Sequence, residues 1–216
     1  MLKTRRGKSY LILYKFLQFI LSNLFRVVFR IKVIDSKKIP KEGGLILCSN
    51  HLGYLDPFFI CVYFPRLVYF MAKIELFKSK SFASLITFFN AFPVKRESAD
   101  RKAITNALKV LTCGQVLGMF PEGTRSTDGT IGQGYRGVGL IAVMSKAPIL
   151  PMAIAGTNKI IRKPHKRIFF PRIKLIFGDL IRTEDIVEKY DKKTAIDILL
   201  KKVMDSIEKL YNQINV

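Results

Sequence analysis

Four stretches of this chain are apolar at almost every position: "GLILCS" (44–49), "RLVYFMA" (66–72), "QVLGMF" (115–120) and "PILPMAIAG" (148–156). A strand with one wet face alternates apolar and polar residues, so runs like these describe strands buried on both faces. Helical stretches lie between them. "PFFICVYF" follows Asp56-Pro57, an N-cap aspartate with proline at the first helical position. "SFASLITFFNAF" is mostly apolar and is expected as a buried helix. "SADRKAITNALKVLTCG" is amphipathic, with Ser98 as cap and Gly114 as stop. "RIKVID" and "FPVKR" add short strands, "RIFFPRIKLIFGDLI" has strand character, and the chain ends in amphipathic helix broken near Tyr190-Asp191. The expected fold is α/β: a mixed, mostly parallel sheet flanked by helices. A length of 216 residues, 49% of them apolar, suits one domain with a terminal appendage.

That appendage is the N-terminus. Residues 1–41 carry eleven Lys and Arg against Asp35 alone. Within "YLILYKFLQFILSNLFRVVFR" the polar positions Lys15, Gln18, Ser22, Asn23, Arg26 and Arg30 fall three or four apart, one narrow stripe along a helix. No uninterrupted apolar run approaches the roughly eighteen residues of a transmembrane span. The expectation is an amphipathic helix, residues 1–31, lying in the membrane interface with its basic side toward headgroups, ahead of a domain over 32–216. Packing on its own domain and spanning the membrane are the alternatives.

The whole chain has 37 Lys and Arg against 16 Asp and Glu, a net charge of +21. Such a surface favours anionic partners: acidic lipid, phosphorylated substrates or nucleic acid. Three cysteines without a C-x-x-C pair, and two distant histidines, argue against a disulfide framework and a His/Cys metal site. The cysteines fit buried thiols in a reducing compartment.

The chemistry gathers at the strand ends. "NHLGYLD" places His51 on the exit loop of an apolar strand and Asp56 at the next helix start. A spacing of five cannot share a helical face, but Gly53 permits a turn that brings the two together. A carboxylate on one imidazole nitrogen fixes the tautomer and leaves the other to take a proton from a hydroxyl. In "FPEGTRS", Glu122 and Arg125 lie three apart in a turn after another strand, and an arginine fork suits phosphate. Glu122 is placed either to position a polyol hydroxyl or to orient Arg125. Lys95 and Arg96 follow the short strand of "FPVKR" as a candidate phosphate grip. Taken singly, each pattern has a bland reading as a capped turn or a solvated ion pair.

In order, "NHLGYLD", "FPVKR", "FPEGTRS" and "ILPMAIAGT" resemble the four blocks of the glycerolipid acyltransferases, and best the 1-acylglycerol-3-phosphate acyltransferases. The resemblance spans residues 50–157. It implies that His51 is a general base oriented by Asp56, which deprotonates the 2-hydroxyl of a lysophosphatidate for attack on an acyl thioester. It implies that Arg96 and Arg125 hold the phosphate with Lys95 assisting. Glu122 and Gly123, with the neighbouring Thr124, would shape the glycerol site, and Pro151 the acyl pocket. It implies no cofactor and no metal: the co-substrate is acyl-CoA or acyl-carrier protein. The partners would be lysophosphatidate and an anionic membrane surface, at its cytoplasmic face. Phe88, Phe89 and Asn90, where the family often has small residues, bear on the acyl pocket, and Pro93 stands where isoleucine is common. "KIIRKPHKRIFFPRIK" is a basic stretch facing headgroups, a carrier's phosphates or solvent.

Other acceptors, glycerol-3-phosphate or a lyso-aminolipid, stay open within this chemistry. A serine or cysteine hydrolase is disfavoured, because there is no G-x-S-x-G elbow and Cys48 lies inside an apolar strand. A non-catalytic basic protein binding membrane or nucleic acid is the rival of a different class. Its weakness as a nucleic-acid binder is that the aromatic residues sit in apolar runs.

Overall fold

The computed structural model describes residues 7–95, 100–126, 128–162 and 167–215. In chain order the elements are α1 (Lys8–Val28), β1 (Lys32–Ile34), β2 (Leu45–Ser49), α2 (Asp56–Tyr63), β3 (Val68–Lys73), α3 (Lys80–Phe88), β4 (Phe92–Val94), α4 (Arg101–Thr112) and β5 (Val116–Met119). They continue as α5 (Gly137–Ser145), β6 (Ile149–Ala155), β7 (Ile161–Arg162), β8 (Arg167–Ile168), β9 (Lys174–Phe177), α6 (Glu184–Lys189) and α7 (Lys192–Ile214).

Seven strands form one sheet in the order β1-β9-β6-β2-β5-β3-β4, and β7 pairs with β8 as a separate hairpin. From β6 to β4 every neighbouring pair is parallel. β9 runs antiparallel to β6 and takes β1 with it. The expected α/β architecture with a mixed, mostly parallel sheet is what the chain adopts.

The unbroken apolar runs follow from burial on two sides. In β2, Leu45 and Leu47 point into a core shared with Phe59, Phe64 and Phe29, while Ile46 and Cys48 point into a second core with Val110, Ile141 and Leu199. Helices α1 and α2 thus cover one face, and α4, α5 and α7 the other. Each fully buried Leu or Ile contributes about 1.5–3 kcal/mol over leaving it exposed, so no position in β2 tolerates a charge.

Three local expectations are corrected. Ser98 lies outside the described residues, and the helix after it is capped by Asp100, whose carboxylate accepts from Ala103 N at 3.0 Å. Helix α3 is not buried: only Ile86 is, and Phe82 and Leu85 are exposed. Its C-terminal end meets α1, where Phe88 packs on Tyr10 and Tyr14 with ring centroids 5.5 and 6.1 Å apart.

The third concerns α1. Two members of its polar stripe, Lys15 and Gln18, reach the domain, while Asn23, Arg26 and Arg30 are exposed. Gln18 Nε2 donates to the carbonyls of Cys61 and Phe64, both at 2.9 Å, and Lys15 Nζ donates to Pro65 O at 2.9 Å. These groups satisfy carbonyls that the end of α2 leaves without intrahelical partners. Tyr14 is buried beside them, and Tyr63 Oη donates to Ser22 O at 2.7 Å. Phe25 and Val28 pack on the core, while Ile12, Phe16, Phe19, Leu24 and Val27 face away from the domain and are exposed.

Candidate active site

Because β2, β3, β4, β5 and β6 are parallel, their carboxyl ends lie on one side of the sheet, where open α/β sheets bind ligands. His51 and Asp56 follow β2, Lys95 follows β4, and residues 120–126 follow β5.

The loop 50–56 folds around one buried carboxylate. Asp56 Oδ2 accepts from the backbone N–H of Leu52 at 2.6 Å and of Gly53 at 2.8 Å, and from His51 Nδ1 at 2.8 Å. Asp56 is fully buried, and its Oδ1 has no hydrogen-bond partner among the described residues. The aspartate therefore does not serve as a forward helix cap, as its position before Pro57 suggested. It turns back and ties the loop to the imidazole. With Nδ1 donating to the carboxylate, Nε2 is left as the basic nitrogen. Gly53 is needed for contact rather than for a turn. A Cβ there would come within 2.9 Å of Thr157 O, at the end of β6. Asn50 locks the same edge by pairing Nδ2 and Oδ1 with the carbonyl and N–H of Ile154, both at 2.9 Å.

The turn after β5 clasps this loop. Glu122 Oε1 accepts from His51 N at 3.0 Å and Oε2 from Gly132 N at 3.1 Å, and Ser126 N donates to His51 O at 2.8 Å. Burial pushes the Glu122 carboxyl above its usual range, and the two N–H donors oppose that rise. Glu122 is thus committed to backbone, and Arg125 lies elsewhere: its guanidinium carbon stands 3.4 Å over the Tyr54 ring. Gly123, at φ +64°, makes the turn. Thr124 is exposed, and its hydroxyl donates to Arg125 O at 3.3 Å.

The His51 ring stacks on Phe120, with centroids 4.0 Å apart and planes 16° from parallel, and Phe120 stacks in turn on Phe70 at 5.5 Å. A cleft of about 170 Å³ opens beside the imidazole, lined by Met71, Val94, Phe120, Pro121, Gly123 and Tyr135 among others.

Not every residue chosen from sequence meets there. Lys95 is exposed at the end of β4 on the same side of the sheet, and its N–H donates to Asp100 at 2.9 Å. Arg96 lies outside the described residues. Pro151 sits in mid-strand opposite Cys48, buried, and does not line the cleft. Nor do Phe88, Phe89 and Asn90. Tyr10 Oη donates to Phe88 O at 2.8 Å and to Asn90 Oδ1 at 3.1 Å, and Phe89 packs edge-on against Phe58. Phe120, Tyr54 and Tyr135 carried no separate signal in the sequence, although the first two stand inside the quoted motifs.

The expectation of buried thiols holds for two of the three cysteines: Cys113 is exposed at the end of α4. Cys48 and Cys61 are buried, and burial pushes the Cys48 thiol far up and that of Cys61 to about 12. Neither is a thiolate near neutrality.

The buried Asp56 carboxylate, the imidazole it holds and the small cleft beside that ring are an arrangement that could support proton transfer from a bound hydroxyl. A family profile described as Acyltransferase matches residues 30–155. The chain belongs to the acyltransferase family. It is 29% identical over 205 residues to a 1-acyl-sn-glycerol-3-phosphate acyltransferase of Bacillus subtilis, covering 94% of this chain and 99% of the relative. It is 30% identical over 179 residues to one of Streptococcus pneumoniae, covering 82% of this chain and 64% of the relative. The crystal structure of the 1-acyl-sn-glycerophosphate acyltransferase PlsC of Thermotoga maritima superposes with a TM-score of 0.75 at 26% identity, over 97% of this chain and 84% of that one.

Proposed function

We propose that the protein transfers a fatty acyl group from an acyl thioester to the 2-hydroxyl of 1-acylglycerol-3-phosphate, forming phosphatidate. The observation that carries this reading is the 2.8 Å contact between His51 Nδ1 and the buried Asp56 carboxylate, set at the mouth of a cleft.

His51 Nε2 takes the hydroxyl proton as the oxygen attacks the thioester carbonyl. Asp56 stabilises the imidazolium that forms. The tetrahedral intermediate collapses, the carbon–sulfur bond breaks, and the imidazolium returns its proton to the leaving thiolate. The acceptor alcohol is itself the nucleophile, so no acyl-enzyme is required. Arg125, with Lys95 and Arg96, takes the phosphate. The donor is acyl-CoA or acyl-carrier protein.

Membrane association is part of the proposal. Helix α1 is long and apolar enough to cross a membrane, and little of its apolar stretch is buried in the domain. Its contacts with α2 favour an interfacial position instead, since a spanning helix would leave the carbonyls that Gln18 satisfies. An apolar face turned outward suits an acceptor already held in the lipid, here placed at the cytoplasmic leaflet. The test is to supply purified enzyme with lysophosphatidate or glycerol-3-phosphate, each with acyl-CoA or acyl-carrier protein, and to identify the products. Phosphatidate as the product supports the reading, and lysophosphatidate formed only from glycerol-3-phosphate refutes it.

A further inference from the structure

We propose that the β7–β8 hairpin is a second membrane-contact element that seats the catalytic end of the sheet on an anionic lipid bilayer. The proposal rests on the reading of the protein as a membrane-associated acyltransferase, and the interfacial placement of α1 does not by itself imply it.

The hairpin combines two features that water does not favour together. Ile161 and Ile168 are direct cross-strand partners, 40% and 65% exposed, and Phe169 and Phe170 follow at 38% and 56%. Clustered exposed apolar side chains mark a contact surface rather than a solvated loop. Beside them Lys159, Arg167 and Arg172 are exposed, and as sequence the stretch 159–174 has seven Lys and Arg and no Asp or Glu. Apolar and aromatic side chains beside exposed cations suit the boundary between headgroups and acyl chains. Each cation near an anionic leaflet strengthens partition roughly fivefold.

Its position links membrane to site. Phe170 packs on Phe29 at the end of α1, with centroids 5.7 Å apart, and Arg30 Nη2 donates to Phe170 O at 2.9 Å. On the other side, Thr157 touches Gly53 of the catalytic loop and opens the turn that leads into β7. The hairpin is therefore braced between the apolar helix and the His51 loop. An acidic carrier protein would meet the same cations but would give no role to an exposed Ile168 and Phe170.

The chain has no tryptophan, so a single introduced indole reports its own surroundings. Ile168→Trp reports the hairpin, and Ile12→Trp, at a position 71% exposed on α1, reports the helix. Each full-length variant is mixed with vesicles of phosphatidylglycerol and phosphatidylcholine in equal parts, with and without brominated acyl chains. Pure phosphatidylcholine vesicles and acyl-carrier protein serve as comparisons. The expected result for Ile168→Trp is a blue-shifted indole emission quenched by brominated chains, strongest on the anionic vesicles. Quenching at position 12 with none at position 168 overturns the hairpin proposal and keeps the α1 reading. Quenching at 168 with none at 12 does the reverse. A response of the Ile168→Trp variant to carrier protein and not to vesicles overturns the proposal in favour of an acidic protein partner. As a second measurement, Phe170→Ser lowers partition onto the anionic vesicles roughly tenfold, while turnover on detergent-dispersed acceptor is kept. Unchanged partition counts against the hairpin.

Discussion

The carboxylate of Glu122 accepts the backbone N–H of His51 at 3.0 Å across 71 positions of chain. The same side chain holds Gly132 through its other oxygen. It is a clamp between two loops, with the imidazole on one of them. Glu122→Gln replaces one acceptor by a donor facing an N–H. An unsatisfied pair of this kind costs about 1–3 kcal/mol. The expected outcome is a lower unfolding midpoint together with a fall in kcat that exceeds any change in KM. A variant with native kcat would show that the clamp does not hold the imidazole.

His51→Ala removes the base and leaves the Asp56 contacts to Leu52 and Gly53 in place. Acyl transfer should fall by about two to four orders of magnitude, with thermal unfolding close to native. Asp56→Asn should lose a comparable share of kcat, because the carboxylate sets the tautomer. It should also lose stability, because the loop N–H groups lose an anionic acceptor. Near-native turnover in His51→Ala would remove the general-base assignment.

Arg125 is read as a phosphate ligand held over Tyr54. Arg125→Ala should raise KM for lysophosphatidate with little change in that for the acyl donor. Arg125→Lys should rescue only part of the loss, since an ammonium lacks the planar fork. Tyr54→Phe should behave as native and Tyr54→Ala should resemble a mild Arg125 variant, because an exposed cation–π contact contributes about 0.5–1 kcal/mol. If the donor KM moved instead, the cation would belong to the thioester's phosphates.

The His51–Phe120–Phe70 stack rests on Gly118. A Cβ at Gly118 would come within 2.4 Å of the Phe70 ring. Gly118→Ala should cost about 1–3 kcal/mol by overpacking and lower kcat as the displaced ring disturbs Phe120. Adding Phe70→Leu should recover part of the stability. Calorimetry on the single and double variants checks this, and a native midpoint in Gly118→Ala would show that the stack yields freely.

Asp128 organises the turn that follows Arg125. The backbone N–H of Thr130, and then the hydroxyls of Thr130 and Ser126, hold its carboxyl down to about 2. A carboxyl lower in the folded than in the unfolded chain contributes stability above the unfolded pKa of about 3.9 and loses it as pH falls through the folded value. Asp128→Asn should therefore be less stable than native near neutrality, with the gap closing as pH falls from about 4 toward 2. Denaturant midpoints across that range measure it, and a gap independent of pH would assign the difference to something other than charge.

Much of this molecule was legible in one dimension. The unbroken apolar runs announced strands covered on both sides, and Leu45 to Cys48 do feed two cores alternately. The H-x4-D spacing across a strand exit and a helix start allowed His51 and Asp56 to meet, and they do. Less was legible in α1 and α3. Apolar periodicity says that a face will be sheltered, but not by what. Gln18 of α1 found the open carbonyls at the end of α2, and α3 kept Phe82 and Leu85 exposed.

The sequence by itself determined the class of fold and the neighbourhood of the chemistry, because burial and short turns act over a few residues. Only the tertiary structure decided that Glu122 joins two loops through their backbone N–H groups, that Asp56 turns back instead of capping its helix, and that Pro151 stays inside the sheet. These outcomes depend on which N–H groups and side chains reach the same point from distant parts of the chain. A hydrogen bond across 71 residues leaves no local pattern to read.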